Sequence, residues 1–135
     1  MQEVLIIENE YSYVKGAFDF VNEFMMNNSL HYRVISRSQD VPWDELSNYN
    51  FIFVDISLSQ RSELDGYGIL QKIEKEQLKA KNIIILTANM NIESMLKVRG
   101  INNKYKTLIK PIDLNDLYHT FENGGSFTER INKFN

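Results

Sequence analysis

The chain has 135 residues, 43% hydrophobic and 24% charged, and its 15 basic and 18 acidic side chains leave a formal net charge of −3. That composition fills the core of one ordinary domain and excludes a disordered chain, and the acidic excess excludes general affinity for nucleic acid or membrane. The absence of cysteine removes disulfides, thiolate metal sites and cysteine nucleophiles, and fits a reducing compartment.

The first apolar run, Val4–Ile7, meets acid at Glu8, where a signal peptide would continue its apolar core. No later run approaches the roughly twenty residues of a membrane span, so a cytoplasmic protein is expected. Val4–Ile7 reads as a strand buried on both faces. Val14, Phe18, Val21 and Met25 recur at helical spacing and form one apolar stripe. In Leu30–Ser36, Leu30, Tyr32 and Val34 alternate with His31 and Arg33, the pattern of a half-exposed edge strand. Between Arg37 and Asn50 the signal is thin: Pro42 and Trp43 open a single helical turn with Leu46 facing inward.

Phe51–Val54 and Ile83–Leu86 are two more buried strands, and Leu108–Ile109 ends another. Ile69, Leu70 and Ile73 mark a helix ahead of the charged run Lys72–Lys81, read as a solvated helix face. Ile92, Met95 and Leu96 follow Asn91 as N-cap, with Gly100 as the stop. Leu114, Leu117, Tyr118 and Phe121 follow Asp113 and end at Gly124–Gly125. Residues 1–125 thus form one domain. In the tail, 126–135, Ser126 and Glu129 have capping-box spacing, and Phe127, Ile131 and Phe134 share a face if a short helix forms; a frayed end is the alternative. His31 and His119 read as ordinary surface residues. Strands alternating with helices imply an α/β fold with a parallel sheet covered on both faces.

Ligands of such sheets bind beyond the carboxyl ends of the strands. Glu8, Asn9 and Glu10 follow the first strand, Asp55 the third, Thr87 and Ala88 the fourth, Lys110 and Pro111 the fifth. Taken singly each is ordinary: an acid after a strand caps a turn, and Lys-Pro marks a loop. Together, in VLIIENE, FIFVDISL, LDGYGIL, IIILTA and LIKPIDLNDL, they resemble the response-regulator receiver domain of two-component signalling, over Val4 to Phe121.

The resemblance implies a flavodoxin-like doubly wound five-stranded parallel sheet in order 2-1-3-4-5. It implies Asp55 as phosphoacceptor, Lys110 as the charge that neutralises phosphoryl oxygens, and Thr87 as a hydroxyl that bonds one of them. Ala88 matches a position kept small, and Lys110–Pro111 matches a cis peptide bond. Mg²⁺ is the implied cofactor, on Asp55, the Glu8–Asn9–Glu10 cluster and the backbone carbonyl of Ser57. The implied partners are a histidine kinase or histidine phosphotransfer protein as donor and a downstream protein as readout, at a face including Tyr105, Thr107 and Tyr118. Such a stand-alone receiver is no conventional enzyme; it catalyses its own phosphotransfer and dephosphorylation. Direct nucleic-acid or membrane binding is not expected; a homodimer through the apolar face of the tail is an option.

Three features depart from the family pattern. Its middle acidic position is Asn9 here, which predicts weaker metal binding. The loop ISLSQRSEL, between Asp55 and Asp65–Gly66, is longer than usual and carries Arg61. The aromatic switch position is Thr107. Two other functions compete. A phosphorylation-independent adaptor of the same fold is motivated by Asn9. A flavodoxin-like electron carrier would need a hydroxyl- or glycine-rich phosphate loop where this chain has Glu8, Asn9 and Glu10, and no G-x-G-x-x-G follows the first strand for a Rossmann enzyme.

Overall fold

The computed structural model describes residues 1–58 and 60–124. The apolar runs become strands β1 (Gln2–Ile7), β2 (Leu30–Ile35), β3 (Phe51–Asp55), β4 (Ile83–Thr87) and β5 (Lys106–Ile109). They form one parallel sheet in the order β2-β1-β3-β4-β5. Every residue of β3 and β4 is buried, as continuous β-branched and aromatic runs require when both sheet faces are covered. The alternating segment is β2, at one edge, with three of its six residues exposed.

Strand alternation divides the core in two. Leu5, Ile7, Ile52, Val54, Ile83 and Ile85 face one way. They meet Ile69, Leu70 and Ile73 of α2 (Gly66–Lys75) and Ile92 and Leu96 of α3 (Ile92–Val98). Val4, Ile6, Phe51, Phe53, Ile84 and Leu86 face the other way. They meet Val14, Phe18 and Val21 of α1 (Tyr11–Met25) and Leu117 and Phe121 of α4 (Leu114–Asn123). Edge-to-face rings tie the second layer together: Phe18 on Phe53 and Phe51 on Phe121, each at 5.0 Å. This is the flavodoxin-like α/β fold expected, with helices on both faces.

Some local expectations change. The connection between β2 and β3 holds two 3₁₀ segments, Ser38–Asp40 and Trp43–Asn48, where a single helical turn is expected; Leu46 is buried there, as that turn predicts. The charged run is only partly helical. The α2 helix ends at Lys75, and Gln77 adopts a φ of 54° so that Leu78 can return to the core. Asn91 sits at the N-cap of α3 without a side-chain capping bond, and Met95 is exposed while Ile92 and Leu96 are buried. Gly100, at φ 73°, stops that helix as expected. Asp113 caps α4 by accepting from the Asp116 N–H. The tail helix proposed for 126–135 lies outside the described residues.

Candidate functional site

Register brings the polar strand ends together. Asp55 pairs with Leu86, so Thr87 lies one step beyond it on the neighbouring strand; Thr87 pairs with Ile109, so Lys110 lies one step beyond that. On the other flank of β3, Ile7 pairs with Val54, and Glu8 ends β1 beside Asp55. These ends meet where the strand order reverses between β1 and β3, the usual ligand crevice of a doubly wound sheet.

Lys110 joins the two carboxylates. Its Nζ lies 2.8 Å from Glu8 Oε2 and donates to Asp55 Oδ1 at 3.2 Å. The Ser57 N–H also donates to Asp55 Oδ1, at 3.0 Å. Glu8 Oε2 is buried, with the Lys110 ammonium as its partner; Oε1 accepts from the Glu10 N–H. Glu8, Asp55 and Thr87 are each 2% exposed or less. Thr87 Oγ1 accepts from the Asn89 N–H, and the Thr87 carbonyl accepts from the Lys110 N–H. Ala88 is exposed, and the Lys110–Pro111 bond is cis, as the resemblance implied.

The acidic cluster does not act as three equal groups. Glu8 points into the crevice, Asn9 is half-buried, and the Glu10 side chain is exposed. Among the described residues, no three His, Asp or Glu side chains converge. A hard cation nevertheless fits the chemistry: two buried carboxylates already hold an ammonium between them. Such a cation could be held by Glu8 and Asp55 together with the expected ligands Asn9, Glu10 and the Ser57 carbonyl.

The environment sets the charges. Burial pushes the Glu8 carboxyl above its ordinary 4.5; Lys110 opposes the shift and Asp55 adds to it. Burial lowers the Lys110 ammonium, but Glu8 and Asp55 together outweigh it, and the net shift is upward. In the pH range where folding holds the Glu8 proton and the unfolded chain has lost it, folding takes up protons. Glu8 therefore favours the fold most below 4.5, the unfolded value, and that contribution is lost as pH rises through the folded value. Glu8→Gln stays neutral throughout. Without divalent ions, its melting temperature should exceed wild type by a margin that grows from acid to neutral pH. A margin independent of pH would show that Glu8 carries no such penalty.

Tyr105 is placed away from the crevice: its hydroxyl donates to Glu74 Oε2 at 2.7 Å. Thr107 pairs with Ile85 in the layer under α2 and α3, whereas Tyr118 packs on the α1–α4 layer. Sequence reasoning missed two supports. Gly66 closes against the Asp55 carbonyl, signalled only by the dipeptide Asp65–Gly66 ahead of an apolar helix. Asp65 caps α2 through the Gly68 N–H and pairs with Arg99, a contact with no local signature.

No family model and no curated protein matches the sequence. Solved structures do. A Francisella response-regulator receiver domain aligns over 90% of this chain and 94% of its own, at 18% identity and TM-score 0.65. The receiver domain of NtrX from Brucella abortus aligns over 88% and 94%, at 22% identity and TM-score 0.62. A signal receiver domain of a modulated diguanylate cyclase from Desulfovibrio desulfuricans aligns over 99% and 97%, at 17% identity and TM-score 0.64. The chain therefore has the receiver-domain fold of response regulators. Among the described residues, no helix is long and apolar enough to cross a membrane.

Proposed function

We propose that the chain is a phosphoacceptor of a two-component phosphorelay, with Asp55 as the modified residue. The observation that carries this reading is the bridge of Lys110 between Asp55 and Glu8 at adjacent strand ends, with buried Thr87 on the other flank. A carboxylate oxygen of Asp55 forms the new O–P bond as the P–N bond of a phosphohistidine donor breaks; the released imidazole takes its proton from solvent. Lys110 offsets the negative charge that gathers on the phosphoryl oxygens, and the Thr87 hydroxyl turns to donate to one of them. Mg²⁺, when bound, supplies the charge that lets anion approach anion. Phosphorylation then shifts a two-state equilibrium read by a downstream protein. The donor is a histidine kinase or histidine phosphotransfer protein, and the chain catalyses its own phosphotransfer and dephosphorylation. The test is mass spectrometry after treatment with acetyl phosphate and Mg²⁺: one phosphoryl group per chain supports the reading, and none overturns it.

A phosphorylation-independent adaptor is the second reading, favoured by Asn9 and by the failure of three acids to converge among the described residues. Asn9→Asp separates the two. A carboxylate near the ion adds Coulomb attraction of about 1–4 kcal/mol at 4 Å, depending on the effective dielectric. Under the phosphoacceptor reading, the variant should bind Mg²⁺ about fivefold or more tightly and label faster below saturation. Calorimetric titration of both forms checks this; equal affinities would place residue 9 away from the ion.

A further inference from the structure

The β2–β3 connection and the connection that follows Asp55 are hydrogen-bonded to each other. The first contributes Ser38 and Gln39. The second leaves β3 after Asp55 and re-enters a helix at Gly66. Ser38 is 2% exposed. Its N–H donates to Ser62 Oγ at 2.7 Å, and its Oγ accepts from the Leu64 N–H at 2.8 Å. Ser62 Oγ in turn donates to the Leu64 carbonyl. Gln39 does the same from the surface: Oε1 accepts from the Glu63 N–H at 3.1 Å, and Nε2 donates to the Arg61 carbonyl at 2.9 Å. Residues 38–39 thus hold the backbone of 61–64 much as a neighbouring strand would. The ends of the same loop are tied to the site, through Ser57 N–H to Asp55 Oδ1 and Gly66 N–H to the Ile56 carbonyl.

We infer that Ser38 and Gln39 are positioning residues for the Asp55 site, holding the post-Asp55 loop, and Ser57 on it, in the conformation that takes up the metal. The inference rests on the phosphoacceptor reading. With residues 61–64 held by 38–39, less is left to order when the Ser57 carbonyl meets an ion; released there, the chain meets that cost on binding. Re-ordering the released segment on binding should weaken metal affinity about 2–10-fold. The defect should therefore lie in the Mg²⁺ requirement and leave the chemistry at saturation intact, because neither side chain touches Asp55, Thr87 or Lys110.

The experiment uses the full chain with Gln39→Ala and Ser38→Ala. Gln39 is exposed, so its variant keeps the fold even where loss of the buried Ser38 hydroxyl does not. Mg²⁺ affinity is measured by calorimetry, and acetyl phosphate labelling rate is followed against Mg²⁺ concentration. For Gln39→Ala, half-saturating Mg²⁺ should rise about 2–10-fold, with the rate at saturation unchanged and faster amide exchange at Glu63 and Leu64. Faster exchange with unaltered Mg²⁺ dependence, or exchange that stays slow, overturns the inference while wild-type labelling leaves the phosphoacceptor reading standing. Wild-type protein that neither binds Mg²⁺ nor labels overturns both.

Discussion

Asp55→Asn should abolish labelling by acetyl phosphate, while wild type gains one phosphoryl group per chain. Among the acidic side chains of the described residues, Asp55 alone ends a fully buried strand with a cationic side chain and a hydroxyl side chain following or ending the strands beside it: Lys110 donates to it, and Thr87 follows its β4 partner. Glu8 shares Lys110 but follows β1, with β3 between it and Thr87. A phosphoryl group on Glu8 would lack the hydroxyl that one on Asp55 can use. The amide keeps the shape of the side chain and removes the nucleophile, and Lys110 retains Glu8 as its ion-pair partner. The fold should survive, with far-ultraviolet circular dichroism unchanged. Labelling of the variant at wild-type extent would place the chemistry elsewhere and end the Asp55 assignment.

How much of this was legible in the sequence follows from the range of each interaction. The runs at β3 and β4 declared themselves because a strand buried on both faces has no polar alternation to hide in. The edge position of β2 was equally plain, from His31 and Arg33 between apolar neighbours. Asp55, Thr87 and Lys110 were legible because each directly follows such a run, and the register does the rest. Glu8, Asn9 and Glu10 were not separable, because strand geometry ends there and side-chain direction passes to the turn into α1. The end of α2 at Lys75 was hidden in an unbroken charged run, since Leu78, not a Gly or Pro, draws the chain back to the core. The Ser38–Leu64 bond joins irregular segments 26 residues apart, and no periodicity encodes a meeting of two loops.

Gly66→Ala should be strongly destabilising, and Gly16→Ala a contrasting gain. A Cβ on Gly66 would overlap the Asp55 carbonyl oxygen and the Cα of Ile56, and lie 2.9 Å from the Asp55 carbonyl carbon. These are backbone atoms at the end of the central strand. They cannot rotate aside as a side-chain tip would, so either α2 lifts from the sheet or the strand end shifts. Overpacking of this kind costs about 3 kcal/mol, or a fall of about 10 °C in melting temperature for a domain of this size. The Gly66 N–H bond to the Ile56 carbonyl, which anchors the start of α2, would stretch with it. Because the displaced atoms belong to Asp55 and its neighbour, labelling should slow as well as stability fall. Gly16, inside α1, has nothing within 4 Å of its Cβ position, so alanine there removes only the excess freedom of glycine and stabilises by about 0.5–1 kcal/mol. Thermal melts of the two variants, with labelling rates measured well below both transitions, make the comparison. A Gly66→Ala protein as stable and as fast as wild type would mean that α2 does not bear on the strand end, and that Asp55 is not held in place from behind.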